Sequence, residues 1–193
     1  MRPLFTPSTI LLALTLLGGA ARARDSTSDP HPEPVPPLLP ASLIDVDGKK
    51  VDVAALARAH RLIFITLKAS WCPACAEQLV RLGRKVSTLR TCGATFVVLS
   101  PGPTQDLARV RDHTGFPYPF VVDENLSLGR QLGLLLAEDQ LIPAIFAVDA
   151  KRRIAWTRQG RSIRYYGDQA LEKYLRCEGT RSAQLPLTSP QHL

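Results

Sequence analysis

Trp71-Cys72-Pro73-Ala74-Cys75 sets two cysteines two residues apart, directly after an apolar run and directly before a helix-forming segment. Such a pair can cycle between dithiol and disulfide, provided that the sulfurs meet and one is a better nucleophile than a free thiol. Arg61 to Leu67 (RLIFITL) is short and rich in β-branched and aromatic residues, which predicts a buried strand. Ala76 to Arg90 carries Leu79, Leu82, Val86 and Leu89 at three- and four-residue steps, which predicts a helix with one apolar face. Cys72 then stands at a helix N-terminus. Pro73 suits the first helical position, where its missing N–H costs nothing, and Cys75 follows on the same face as Cys72. Unpaired N–H groups and the positive end of the helix dipole favour a thiolate at Cys72 and lower its pKa below that of a free thiol. Cys72 is therefore the expected attacking sulfur and Cys75 the resolving one.

The chain has 193 residues, 45% hydrophobic and 21% charged, enough for one soluble globular domain with a sizeable core. Arg2, the apolar or small run from Thr9 to Ala21, and the small-x-small triplet Ala21-Arg22-Ala23 read as a cleavable signal peptide, residues 1–23. As a helix that run would span about 20 Å, short of the roughly 30 Å hydrocarbon core. The expectation is an exported chain, periplasmic or secreted after cleavage near Ala23, with no transmembrane span in its mature form. Residues 24–40 carry six prolines among polar residues and read as a disordered linker, and 178–193 as a flexible tail. A domain over residues 41–177 is left.

Net charge is +7, or +5 once Arg2 and Arg22 leave with the signal. The basic residues are dispersed, without a dense stripe or interleaved stacking aromatics, so nucleic acid is not an expected partner. A solvated basic surface, with attraction to acidic partners or an acidic membrane surface, is the reading that remains.

Around the redox segment the order of elements is legible. Leu43 to Val53 predicts a hairpin about Asp47-Gly48, and Ala54 to His60 a short helix. Thr95 to Ser100 predicts a buried strand, and Thr104 to Thr114 a helix closed by Gly115. Phe120 to Val122 reads as a strand, and Asn125 to Leu135 as a helix with Asn125 as N-cap. Ala144 to Val148 and Arg153 to Thr157 form a terminal hairpin, and Asp168 caps a last helix through Arg176. Strands alternating with helices and then a hairpin and helix predict an α/β sandwich with a mixed sheet.

That order, the cysteine motif and Ile142-Pro143 ahead of a strand resemble the thioredoxin fold. The inserted segment from Thr104 to Leu135 resembles the TlpA-like and AhpC/TSA-like, or redoxin, branch. The resemblance covers about Leu43 to Leu175. It implies a thiol-disulfide oxidoreductase working on protein thiols and disulfides, fed by an upstream electron donor, monomeric, and needing no cofactor or metal beyond its own Cys72-Cys75 pair. By the same resemblance Trp71 packs beside the nucleophile, and Ile142 and a cis Pro143 face the disulfide and bind an extended substrate segment. An ordinary trans proline opening a strand is the alternative.

Two positions depart from the family pattern. Thr66 stands where thioredoxins place a buried acid, and Gln78 where TlpA-like proteins often carry Glu. Glu77, Lys68 or water would then have to move the proton of Cys75. Pro73-Ala74 offers no histidine to stabilise the thiolate strongly, which favours a reductase or isomerase over an oxidase.

Three rival readings stay open. Peroxiredoxins share this layout, but their Pro-x-x-x-Thr/Ser-x-x-Cys motif is matched neither from Cys72, which gives Ala69 and Ile65, nor from Cys75, which gives Cys72 and Lys68. A structural zinc site would need a second cysteine pair or spaced histidines, and His31, His60, His113 and His192 show no ligand spacing. A non-catalytic binding module with an inert bridge is the third. If the thioredoxin topology holds, Cys92 and Cys177 end two helices on the same sheet face, and a structural disulfide between them is expected. Asn125-Leu126-Ser127 is also a glycosylation sequon.

Overall fold

The computed structural model describes residues 37–160 and 167–176. The expected first hairpin is β1 (Leu43–Ile44) paired antiparallel with β2 (Lys50–Val51), with Gly48 at φ 76° in its turn. Helix α1 (Val53–Ala59) follows, capped by the Asp52 carboxylate, which accepts the Ala55 N–H at 2.8 Å. Then come β3 (Arg61–Thr66), α2 (Pro73–Gly83), α3 (Val86–Thr91) and β4 (Ala94–Ser100). The inserted segment supplies α4 (Thr104–Thr114), β5 (Phe120–Val122) and α5 (Ser127–Gln131). A small hairpin, β6 (Leu135–Ala137) and β7 (Gln140–Leu141), leads into β8 (Ala144–Val148), β9 (Ile154–Gln159) and α6 (Asp168–Leu175).

Five strands form one mixed sheet in the order β5-β4-β3-β8-β9. Strand β3 runs parallel to β4, and β4 to β5, while β8 is antiparallel to both β3 and β9. Alternation along the central strands sorts the core into two layers. Ile63, Ile65, Phe96, Val98 and Ile145 meet Leu79 and Leu82 of α2, Leu107 of α4 and Leu171 of α6. On the other face Leu62, Phe64, Val97 and Phe146 meet Val53 of α1 and Leu128 of α5, with the Phe64 and Phe146 rings stacked at 5.2 Å. This is the α/β sandwich that the sequence predicts.

Four local differences have physical reasons. The predicted single helix from Ala76 to Arg90 is broken into α2 and α3 where Gly83 ends α2, and Leu82 O accepts the Lys85 N–H at 2.9 Å. Its apolar spacing still works, because Leu79 and Leu82 on one side of the break and Val86 and Leu89 on the other are all buried. The predicted helix from Asn125 to Leu135 shrinks to α5, ended by Gly133 at φ 67°, and Leu135 enters a hairpin instead. Asn125 is not the cap. Buried Asp123 takes that role, accepting the Leu128 N–H at 3.1 Å and the Gly129 N–H at 2.7 Å. Finally, Pro37 to Pro40, assigned by composition to the linker, belong to the domain: Leu39 is fully buried, its N–H donates to Arg152 O at 2.9 Å, and its carbonyl accepts from the Arg152 guanidinium at 2.7 Å. The signal peptide at 1–23, the rest of the linker and the tail at 178–193 lie outside the described residues.

Thr66, at the position where the resemblance to thioredoxins implies a buried acid, is a backbone clamp. Its hydroxyl, fully buried, accepts the Ala144 N–H at 2.7 Å and donates to Ile142 O at 2.8 Å, tying the end of β3 to the start of β8. Thr66→Val keeps the shape and strands both backbone groups. A loss of about 1–3 kcal/mol is expected from the urea midpoint, with Thr66→Ser retaining most of the stability. Asp123→Ala, which uncaps α5, is expected to cost about 2 kcal/mol in the same measurement.

Candidate active site

The site is built at the seam between β3 and α2. Leu67 extends the sheet through its N–H, which donates to Leu99 O at 2.8 Å, and the chain then turns through Ala69 to Trp71. Cys72 is the N-cap of α2 with extended backbone (φ −78°, ψ 106°), and Pro73 takes the first helical position. Where Ser, Thr, Asp or Asn would ordinarily place an oxygen, a sulfur stands: Cys72 Sγ accepts the Cys75 N–H at 3.3 Å. Cys72 and Cys75 are joined by a disulfide across a Cα separation of 5.3 Å.

The two sulfurs have different surroundings. Cys75 is 3% exposed and packs into the core from the inner face of α2, with the Lys68 N–H donating to its Sγ at 3.4 Å. Cys72 is only partly buried and borders a cleft of about 400 Å³. One wall of that cleft is Ser70 to Pro73 with Ala76, and the other is a single face of α4, formed by Asp106, Arg109, Val110 and His113.

Helix α4 is held there at several points. Gly102, at φ 106°, lets the β4–α4 loop approach Ser70, whose Oγ would lie 3.0 Å from any Cβ at that position. Leu107 is buried in the core on the inner side. On the outer side the Arg111 guanidinium bonds the Asp47 carboxylate of the first hairpin at 2.6 Å and holds that carboxyl below its ordinary pKa. Because the folded value is depressed, this tie is present at neutral pH and is lost as pH falls through that value.

Of the residues that the sequence singled out, Trp71 is 61% exposed beside Cys72, with the Lys68 ammonium 5.3 Å from its ring centroid. Lys68 thus meets Cys75 through its backbone and Trp71 through its side chain. Glu77 is exposed and lies two residues after Cys75, a spacing at which helical side chains do not face each other. Gln78, one helical turn from Cys75, is buried and donates to the Asp168 carboxylate at 3.4 Å, while Arg81 bonds the other oxygen of that carboxylate at 3.2 Å. These bonds fix α2 against α6. Cys92 is not a free thiol, and Cys177, its expected partner, lies outside the described residues.

The Ile142-Pro143 expectation needs correction. No peptide bond among the described residues is cis, so Pro143 opens β8 in the trans form. Nor is the Ile142 backbone free for a substrate. Its N–H donates to Leu134 O at 2.7 Å and its carbonyl accepts from Thr66, while the Pro143 carbonyl accepts the Gly160 N–H at 2.6 Å. The hairpin of β6 and β7 delivers the chain extended into β8, where the trans form is the lower-energy one and no tight turn offsets the cis cost.

The α4 wall was missed in the sequence. Its signal was there: positions 106, 109, 110 and 113 follow the i, i+3, i+4, i+7 spacing of one helix face, on a helix where only Leu107 is fully buried. Among the described residues no three His, Cys, Asp or Glu side chains converge as metal ligands, and no helix is long and apolar enough to cross a membrane.

Comparison with known proteins places this geometry. A family model described as Redoxin matches residues 28–175. Among solved structures, peroxidoxin BcpB from Mycobacterium tuberculosis superposes with a TM-score of 0.63 at 20% identity, covering 76% of this chain and 96% of that one. Peroxiredoxin Q from Xanthomonas campestris gives 0.62 at 17% identity, covering 74% and 96%. A secreted Mycobacterium tuberculosis disulfide oxidoreductase homologous to Escherichia coli DsbE gives 0.55 at 13% identity, covering 68% and 92%. A search of curated protein sequences finds no match. The structural neighbours establish the thioredoxin-like fold, and the family model, spanning the sheet, the cysteine pair and the inserted segment together, shows that the chain belongs to the redoxin family.

Proposed function

We propose that this redoxin is an exported thiol-disulfide oxidoreductase that exchanges disulfides with protein substrates, Cys72 attacking and Cys75 resolving. The observation that supports it best is the asymmetry of the pair. Cys72 borders a solvent-open cleft and receives a helix N-terminal N–H, whereas Cys75 is buried behind it within bonding reach. In the reduced enzyme the Cys72 thiolate attacks one sulfur of a substrate disulfide, whose S–S bond breaks as its electron pair leaves with the other sulfur, which takes a proton. Cys75 then loses its proton and attacks Cys72 Sγ, releasing the second substrate thiol and forming the Cys72–Cys75 disulfide. Two electrons have passed to the substrate, and an upstream dithiol restores the pair. Reduction or isomerisation fits a Pro73-Ala74 spacer better than oxidation does.

The peroxidase reading draws its support from the peroxiredoxin structures among the neighbours. Its sequence motif is absent around both cysteines, so it stands second. Cys75→Ser is expected to accumulate mixed disulfides with protein substrates through Cys72, and Cys72→Ser to abolish both capture and turnover. Peroxide consumption that survives Cys75→Ser and disappears with Cys72→Ser would select the peroxidase instead. A pair that never cycles in a thiol-trapping assay would select the binding module.

A further inference from the structure

The side from which a substrate reaches Cys72 is set by what the fold has already used. Strand addition at Ile142-Pro143 requires a backbone N–H there, and the only one, on Ile142, is bonded to Leu134 O, with both carbonyls bonded as well. Across the motif the opposite holds. The cleft between the motif and α4 is open, borders Cys72, and offers the exposed Trp71 indole, Pro73 and Val110 as apolar surface.

The α4 wall presents the Arg109 guanidinium, the His113 imidazole and one carboxylate, Asp106. Asp106 is the less exposed partner of the ion pair, at 42%, so Arg109 reaches further into solvent. The Arg109 side chain is 75% exposed, and its ion pair with Asp106 is of the surface kind that contributes little, so the guanidinium can turn to another carboxylate at small cost.

We propose that the cleft between the motif and α4 is the substrate-specificity site, and that it takes an extended segment of a disulfide-bonded protein with an apolar residue beside the attacked cysteine and a carboxylate beyond it. The apolar residue lies on Trp71 and Val110, and the carboxylate pairs with the Arg109 guanidinium, beside which the His113 ring offers an N–H donor. This inference rests on the disulfide-exchange reading above. Electron flow is unchanged: the Cys72 thiolate attacks the cysteine sulfur of the bound segment, and the electron pair of the broken S–S bond leaves on its partner sulfur.

The test uses the full chain with dithiothreitol as reductant and three disulfides. Two are synthetic peptides with one intrachain disulfide and a leucine beside the cysteine, one carrying aspartate and the other lysine two residues further on. The third is hydroxyethyl disulfide, which is neutral and too small to span the cleft. The native chain is expected to show a KM at least about threefold lower for the aspartate peptide than for the lysine peptide, with similar kcat. Arg109→Glu should invert that order. Val110→Asp should lower the ratio of peptide to hydroxyethyl disulfide turnover by about tenfold, whereas Leu136→Glu, at an exposed position in the middle of β6, should leave the ratio unchanged. Equal KM for both peptides with no response to Arg109→Glu, or a ratio that falls with Leu136→Glu rather than Val110→Asp, would overturn the cleft assignment while leaving disulfide exchange intact. Failure of the native chain to reduce hydroxyethyl disulfide would instead overturn the exchange reading, and this inference with it.

Discussion

One hydrogen bond organises the site: the Cys75 N–H donated to Cys72 Sγ at the start of α2. A helix N-terminus leaves backbone N–H groups without intrahelical partners, and a side-chain acceptor at the N-cap satisfies one of them. Here the acceptor is the sulfur that we propose as the attacking one. On that reading the same contact caps the helix and favours negative charge on the sulfur, and both effects depend on α2 being fixed. Its inner face is fixed by Leu79 and Leu82 against the sheet, and its flank by Gln78 and Arg81 on the Asp168 carboxylate of α6.

Much of this was legible in the residues. The short runs Arg61 to Leu67 and Thr95 to Ser100, rich in β-branched and aromatic residues, give two buried central strands, and the Trp-Cys-Pro-x-Cys order gives the cap, the proline at the first helical position and a bridging pair. Gly115 as a helix terminator was equally plain, and it is found at φ 60°. What escaped was decided by tertiary context. The apolar run through Leu132, Leu134 and Leu135 fits a helix as well as a strand, and only the pairing of Leu135 with Leu141 selects the hairpin. Asn125 has the chemistry of a cap, but Asp123 has the geometry, because Leu126 takes a left-handed turn that brings two α5 amides onto that carboxylate.

The departures from the thioredoxin pattern form one coherent change. Where a buried acid would lie below the disulfide, Thr66 is a hydrogen-bonding clamp, and its partners are the two backbone groups that flank Pro143. Together with the β6–β7 hairpin, that clamp closes the backbone edge beside the site. The inserted helix α4 meanwhile opens a walled cleft on the other side of Cys72. A local pattern of four α4 residues could have been noticed in the sequence, but nothing in the sequence says that this face rather than another turns toward the cysteine.

The claim most open to measurement is that the helix N-terminus makes Cys72 the more acidic and more reactive sulfur. The rate of iodoacetamide alkylation of the reduced protein, followed by mass spectrometry at each cysteine across pH, tests it directly. Cys72 should react first, with a midpoint at least about one unit below the ~8.5 of a free cysteine, and Cys75 should react far more slowly. An ordinary midpoint at Cys72, or faster alkylation at Cys75, would contradict the account.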